Sequence, residues 1–368
     1  MGQLRYGLLG AGMMGQEHLR NLALIPDIDV TCVVETDPGM RQRTAQLLPE
    51  AAFLDDIDAL RNADIDAVVV ATPNYQHADQ LIQLFERTDL AILCEKPLVT
   101  TPDDVLRISE AAAKHEAPVW VGMEYRYMPP LAAFRERLPD VGDLKMLTIR
   151  EHRYPFLKKV GDWNRFNRNS GGTLVEKCCH FFDLMRLLVD DEAVRVMASG
   201  AQDHNHLKES YDDEVPDIWD NAFVIVDFRG GRRALLDLCM FAEGSLFEQE
   251  LTATGPKGKM ECFIPGPRAI WGDNTAQAKI VHSPRLPAGP VTTLIETEEQ
   301  ILAAGSHQGS TFYEHQAFKA ACLGEQEVGV SVSDGLKAVV IGMAAQHAAI
   351  HHKVVEISED GLSFGEVA

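Results

Sequence analysis

Three glycines at positions 10, 12 and 15, set between an apolar run and an amphipathic one, restrict the fold of this chain more than any other feature. Leu4–Leu9 reads as a strand, and the residues from Met13 through Leu24 read as a helix. In that setting Gly10 permits the tight turn, Gly12 lets backbone approach a diphosphate, and Gly15 lets the helix pack close to the sheet. The helix N-terminus then offers unpaired amides to phosphate oxygens. Glycines also mark ordinary turns, so the context must decide. It comes from a second strand, Val30–Val34, that ends in an acid, Glu35, at the expected distance. Glu35 is predicted to accept bonds from the adenine-ribose hydroxyls and to repel a ribose phosphate, which favours NAD over NADP. The competing reading makes it a cap for the turn at Asp37-Pro38. Arg41 and Arg43 can also reach a phosphate, which keeps NADP in view. The nucleotide cradle is therefore expected to be Gly10, Ala11, Gly12, Met13, Met14 and Gly15 with Glu35.

Strand patterns at Ala67–Ala71, Ala91–Cys94 and Val119–Met123 alternate with helical ones at Gln76–Glu86 and Pro102–His115. Continuously apolar strands between helices predict a doubly wound parallel sheet, with ligand held beyond the strands' carboxyl ends. The polar residues after each strand become candidates: Thr72, Pro73, Asn74 and His77; Glu95, Lys96 and Pro97; Glu124, Tyr125, Arg126 and Tyr127. Lys96 follows a buried strand and precedes proline, so its ammonium can hold a substrate hydroxyl and stabilise an alkoxide. A solvated lysine paired with Glu95 is the plainer reading. His77 and Asn74 can equally be local helix-start and turn residues.

A boundary is expected at Met128-Pro129-Pro130, where paired prolines stop regular structure. This divides the chain into residues 1–127 and 128–368. Beyond a helix at Leu131–Leu138 and a strand at Met146–Glu151, the segment Gly171–Asp183 splits into two faces at helical spacing. Cys178, Phe181, Phe182, Met185 and Leu188 form an apolar stripe, while Glu176, His180 and Asp183 lie opposite. That polar face reads either as plain solvation or as an acid/base set aimed into a cleft, and spacing alone favours solvation. Trp163 can offer an apolar platform to a ligand and Arg165 can offer donors, or both can pack a surface loop. Strands are expected at Asn221–Phe228, Arg233–Phe241, Phe247–Ala253 and Lys259–Phe263, forming an antiparallel sheet. Pro265–Pro290 reads as irregular, and helices are expected at Tyr313–Cys322 and Asp334–His351. Leu235, Leu238, Met240 and Phe241 supply apolar surface for a homo-oligomer, dimer or tetramer.

The fold class is thus α/β, an N-terminal Rossmann-type parallel sheet followed by an α+β domain with an open, mainly antiparallel sheet. The formal charge of −21 argues against a nucleic-acid partner. No export leader and no membrane-spanning run is read, and seven scattered cysteines fit reduced thiols and a cytoplasmic home. The adjacent Cys178 and Cys179 cannot converge on one ion from a helix, and no carboxylate cluster accompanies His347, His351 and His352, so no metal site is expected.

Gly10–Gly15, Ala71-Thr72-Pro73-Asn74 with His77, Glu95-Lys96-Pro97, Gly171–Asp183 and Val332–Val339 together resemble the Gfo/Idh/MocA family of glucose-fructose oxidoreductase and inositol dehydrogenase relatives. The resemblance implies an NAD(P)-dependent oxidoreductase acting on a sugar, cyclitol or related polyol. It places the catalytic lysine at Lys96 and the acid/base histidine at His180, with Glu176 where the family usually has aspartate. It extends the cofactor contacts to Thr72, Pro73, Asn74, His77, Glu95, Lys96 and Arg126. The substrate contacts become Lys96, Tyr125, Trp163, Arg165, Glu176 and His180. Two other readings stay open. Some relatives use bound NAD transiently to cleave glycosidic bonds or eliminate groups, and a non-catalytic NAD-binding sensor would keep only the cradle.

Overall fold

The computed structural model describes residues 3–267 and 276–367. Its first sheet holds β1 (Leu4–Leu9), β2 (Ile28–Val34), β3 (Ala52–Leu54), β4 (Ala67–Val70), β5 (Ala91–Glu95) and β6 (Val119–Gly122), in the order β3-β2-β1-β4-β5-β6. Every pairing is parallel. Val68–Val70 and Ile92–Cys94 are buried, as strands covered on both faces must be. Helices α1 (Met13–Leu22), α2 (Pro38–Leu47), α3 (His77–Arg87) and α4 (Pro102–Ala112) make the crossovers. The strand order reverses between β1 and β4, so the crevice opens above those two strands. Helix α2 and strand β3 carry little sequence signal. Thr44 is the one buried residue of α2, and β3 has only three residues at the sheet edge.

The second sheet combines β7 (Met146–His152), β8 (Ala193–Ala201), β9 (Asn221–Phe228), β10 (Arg233–Cys239), β11 (Gln249–Gly255), β12 (Gly258–Ile264), β13 (Lys279–Pro284), β14 (Val291–Leu294), β15 (Val355–Ile357) and β16 (Phe364–Glu366). Their order is β14-β13-β12-β11-β7-β10-β9-β8-β15-β16. It is mostly antiparallel, but β7 and β10 run parallel. Helices α5 (Pro129–Arg137), α6 (Asn167–Ser170), α7 (Thr173–Glu176), α8 (Cys179–Val189), α9 (Glu299–Ala304), α10 (Ser310–Cys322) and α11 (Val332–His351) complete the chain.

Three expectations need correction. Pro129-Pro130 opens α5 rather than ending structure, because proline suits the first helical turn, where amides lack partners anyway. Pro265–Pro290 is not wholly irregular: β13 crosses it and pairs with β12, while residues 268–275 lie outside the described ones. Leu238 and Met240 are buried in the core, so they offer no outer surface.

The last helices return across both sheets. Phe318 of α10 sets its ring edge-on to Tyr6 of β1 at 5.9 Å and lies 6.1 Å from Trp120 of β6. Helix α11 begins with a reciprocal Ser331–Asp334 capping box. Gly335 then sits against Val121, and Gly342 presses on the Leu174 backbone, where a Cβ would come within 2.3 Å of the carbonyl oxygen. Small residues here let one helix touch β6 and α7.

Candidate active site

The glycine turn passes the steric test for a dinucleotide. Gly10 has φ +88°, and a Cβ there would meet the Thr72 amide nitrogen at 2.8 Å. At Gly15 a Cβ would lie 2.2 Å from the Gly10 carbonyl oxygen, so the close strand–helix contact requires glycine. Gly12 faces open space, with nothing within 4 Å of its Cβ position, and it starts α1 without a side-chain cap. The first amides of α1 and the space above Gly12 therefore suit a diphosphate. Glu35 accepts from the Ala11 amide through Oε2 and from the Asp37 amide through Oε1, both at 2.7 Å. It ties the glycine turn to the start of α2, and its oxygens keep lone pairs for a ribose. Arg41 donates to the Phe53 carbonyl and lies over the Phe53 ring.

Lys96 follows β5 at a cis bond to Pro97. Its backbone amide donates to Glu95 Oε2 at 3.1 Å, and its Nζ donates to the Glu176 carbonyl at 3.1 Å. The lysine of the first domain thus touches the segment carrying Glu176 and His180. That segment is not one helix, as the spacing predicted. It breaks at Lys177-Cys178, where the Cys178 amide bonds back five residues to Thr173, and α8 starts afresh. Such a bulge re-aims side chains that regular spacing would fix. Nor is one face solvated: Glu176, His180 and Asp183 are all buried.

His180 stacks flat on Tyr125, with centroids 4.1 Å apart and planes 6° from parallel. Its Nδ1 is buried without a hydrogen-bond partner. Burial holds this imidazole well below its ordinary pKa, reinforced by the charge of Lys96 and Lys177, with Glu124 opposing. Glu176 Oε1 accepts from Lys159 at 3.1 Å, whereas Oε2 is buried and unpaired. Lys159 also lies 4.4 Å from the Trp163 ring, which meets Tyr75 edge-on across the domain boundary.

Several groups escaped the sequence reading. Lys177 is buried, pairs with Glu151 at 2.9 Å and donates to the Tyr125 hydroxyl. Burial and Arg153 lower its pKa, against the pull of Glu151 and Glu248. A lysine four residues before Phe181, on the apolar side, was the available signal. His307 meets Glu124 at 2.9 Å and packs on Tyr125, but it sits in a left-handed turn that no local pattern announces. Burial resists ionisation of Glu124, yet His307 and the Thr311 hydroxyl outweigh it and lower its pKa.

The remaining candidates fall into two groups. Tyr125 and Trp163 flank His180 and Glu176 as described. Others are engaged by the protein itself. Arg126 forms a two-pronged pair with Asp183, which removes Asp183 from any acid/base set, and also donates to the Gly329 carbonyl. Arg165 is buried against Glu209. His77 is buried between the Pro97 and Thr72 carbonyls, at 2.8 and 3.0 Å, and thereby joins the turns after β4 and β5. Burial lowers its pKa. Thr72 bonds Gln80, and Asn74 reaches the Ser170 carbonyl at 3.4 Å. Burial pushes the Cys179 thiol up to about 12, and Cys178 is likewise raised, so neither is a thiolate at neutral pH. His347 pairs with Glu366 at 3.1 Å.

Comparison with known proteins agrees with this architecture. Residues 4–123 match the oxidoreductase family model described as an NAD-binding Rossmann fold, and residues 137–357 match that family's C-terminal alpha/beta domain. The inositol 2-dehydrogenase of Rhizobium meliloti (strain 1021) is 30% identical over 272 residues, covering 73% of this chain and 78% of that protein. The myo-inositol 2-dehydrogenase of Thermotoga maritima is 23% identical over 97% of this chain and 99% of its own. The crystal structure of an oxidoreductase domain protein from Kribbella flavida shares the fold with a TM-score of 0.80, at 21% identity, over 98% of this chain and 100% of that one. With both domains matched in order over most of its length, this chain belongs to the Gfo/Idh/MocA oxidoreductase family.

Proposed function

We propose that this protein is an NAD-dependent dehydrogenase that oxidises a CH–OH group of a cyclitol, sugar or related polyol to a ketone. The observation that carries the reading is the meeting of Lys96 with the Glu176–His180 segment, 3.1 Å from Nζ to the Glu176 carbonyl, beside a glycine turn open to a diphosphate. The similarity to inositol dehydrogenases supports the substrate class.

NAD, when bound, supplies the hydride acceptor. The first amides of α1 and the Gly12 backbone would hold its diphosphate, and Glu35 its adenine ribose. The substrate hydroxyl lies between Lys96 and His180. Lys96 stabilises negative charge on the oxygen as the hydride departs. His180, kept neutral by burial and by nearby ammonium groups, takes the hydroxyl proton. The unpaired Glu176 Oε2 accepts a further substrate hydroxyl, and Trp163 walls the entrance.

The same reading includes a homo-oligomer, dimer or tetramer, in the cytoplasm; all seven cysteines are free thiols. The test is formation of NADH or NADPH from purified protein with inositols, sugars and sugar acids. Net accumulation of reduced cofactor is expected with NAD and a polyol. Product formation without net NADH would replace the dehydrogenase by a cycling lyase or hydrolase. Replacing His180 by alanine should lower kcat at least about 100-fold, the contribution of a positioned base, while NAD affinity stays within about twofold. Equal losses in both would remove His180 from the proton step.

A further inference from the structure

Two buried histidines that the proposed chemistry does not touch form a chain ending under Lys96. His18 on α1 and His315 on α10 are both fully buried. His18 Nε2 lies 3.0 Å from Glu95 Oε1, and His18 Nδ1 lies 2.8 Å from His315 Nε2. The two rings meet edge-to-face, 81° apart. The other Glu95 oxygen, Oε2, accepts the Lys96 backbone amide at 3.1 Å.

With both rings neutral, the chemistry of the groups sets the direction of the chain. A carboxylate accepts, so His18 Nε2 carries the proton that it donates to Glu95. In a neutral ring Nδ1 is then an acceptor, and His315 Nε2–H must supply it. His315 Nδ1 is left without a proton, and it is the atom that lacks a hydrogen-bond partner in the structure. Burial, with His18 next to it, keeps His315 neutral, as this arrangement requires. One tautomer of each ring therefore satisfies every contact, and the donations run from His315 to His18 to Glu95, which also accepts the Lys96 amide.

We propose that His18 and His315 are positioning residues for hydride transfer, acting through Glu95 to hold the Lys96 turn so that its ammonium stays aimed at the reacting oxygen. This rests on the dehydrogenase reading above. The chain spans three elements: α10, from the far end of the sequence; α1, which carries the glycine turn at its start; and the end of β5. It couples the lysine's aim to the seating of α10 on the nucleotide domain. A displacement of roughly an ångström in such a group is enough to cost orders of magnitude in rate. The interior carboxylate needs a buried donor to hold one rotamer, and solvent cannot supply it at a site this enclosed.

The experiment compares His18→Leu, His18→Gln, His18→Asn and His315→Leu. Steady-state kinetics would use NAD and myo-inositol, or whichever polyol the panel shows to be oxidised fastest. A glutamine amide nitrogen reaches the place of Nε2, whereas an asparagine amide nitrogen reaches only that of Nδ1. His18→Leu and His18→Asn should therefore lose about tenfold or more in kcat, with KM for NAD within about twofold, and His18→Gln should recover most of the loss. His315→Leu should show a smaller loss of the same kind. A second measurement does not depend on turnover: the resonance of isotope-labelled N-dimethyl-Lys96, assigned by its disappearance in Lys96→Arg. It should shift in His18→Asn relative to wild type and return towards the wild-type position in His18→Gln. An unmoved Lys96 resonance in His18→Asn overturns the proposal, even if kcat falls, and so does an unchanged kcat in that variant. If His18→Leu does not fold, the Gln and Asn pair decides alone. If wild type oxidises no polyol, the dehydrogenase reading fails, and the resonance comparison still decides whether the histidines position Lys96.

Discussion

At the scale of single residues, the site depends on polar groups taken out of water and left partly unsatisfied. His180 Nδ1 and Glu176 Oε2 are each buried without a partner among the described residues, a costly state unless a ligand completes it. The pH dependence follows from His180. Its folded pKa is lowered, so the imidazole remains an unprotonated base well below its ordinary value. The acid limb of kcat/KM for oxidation should therefore lie below about 6.5, the reference value for histidine. A limb at or above that value which disappears in a His180 variant would contradict the stated environment. Glu35 gives a second prediction. Removing its side chain in Glu35→Ala leaves the Ala11 and Asp37 amides without their acceptor and removes the charge that opposes a ribose phosphate. NAD binding should weaken by roughly 1.5–3 kcal/mol, the worth of a hydrogen bond from the ribose to a charged acceptor, and NADP binding should weaken less. Titration with both cofactors reads the ratio, and a ratio unchanged within twofold would show that Glu35 only ties the turn.

At the scale of elements, the glycines of the first turn separate folding from binding. Gly15→Ala places a Cβ against the Gly10 carbonyl and should push α1 off β1, lowering Tm and NAD affinity together. Gly12→Ala meets no protein atom, so it should leave Tm nearly unchanged while NAD affinity falls about tenfold or more, because the diphosphate would occupy that space. A Gly12→Ala protein with full NAD affinity would place the diphosphate elsewhere. This turn was legible in the sequence because its constraints are local: each glycine answers a backbone contact within one strand–turn–helix unit. Lys96 was legible for the same reason, fixed by the end of a buried strand. The Glu176–His180 segment was only half legible. Its helical character was readable, but the break at Lys177-Cys178 arises from Lys177 turning inward to Glu151 and Tyr125, partners 26 and 52 residues away in sequence. Arg126 and Arg165 read as ligand-facing because nothing nearby in sequence shows that Asp183 and Glu209 face them. Short edge elements such as β3 stayed silent because they bury little.

At the scale of the whole molecule, the second sheet has one face against α8 and α11 and another that the described residues leave exposed around β9. Along β9, Val224 and Val226 point into the core, while Phe223 and Ile225, alternating with them, are 59% and 41% exposed. Met146 at the start of β7 is also exposed, and Leu235 on β10 pairs directly with Ile225. Ion pairs Arg150–Asp237 and Arg195–Asp227 border this apolar strip. An alternating strand normally turns polar residues outward, so large apolar side chains at the outward positions of neighbouring strands indicate a surface meant to be covered. A second copy of the same sheet is the simplest cover, because a twofold axis pairs the strip with itself and its acidic and basic rims with each other. Phe223→Lys would place like charges opposite one another across that axis. Sedimentation should find wild type as a dimer or tetramer and Phe223→Lys shifted towards a smaller species, with the Tm of the monomer fold little changed because the residue supports no core contact. A wild-type protein that sediments as a monomer at micromolar concentration would leave the strip without this role. Because the strip lies on the opposite side of β7 from inward-facing Glu151, which pairs with Lys177 beneath Tyr125, loss of the oligomer should then reach the active site only through the sheet, as a modest change in kcat rather than loss of NAD binding.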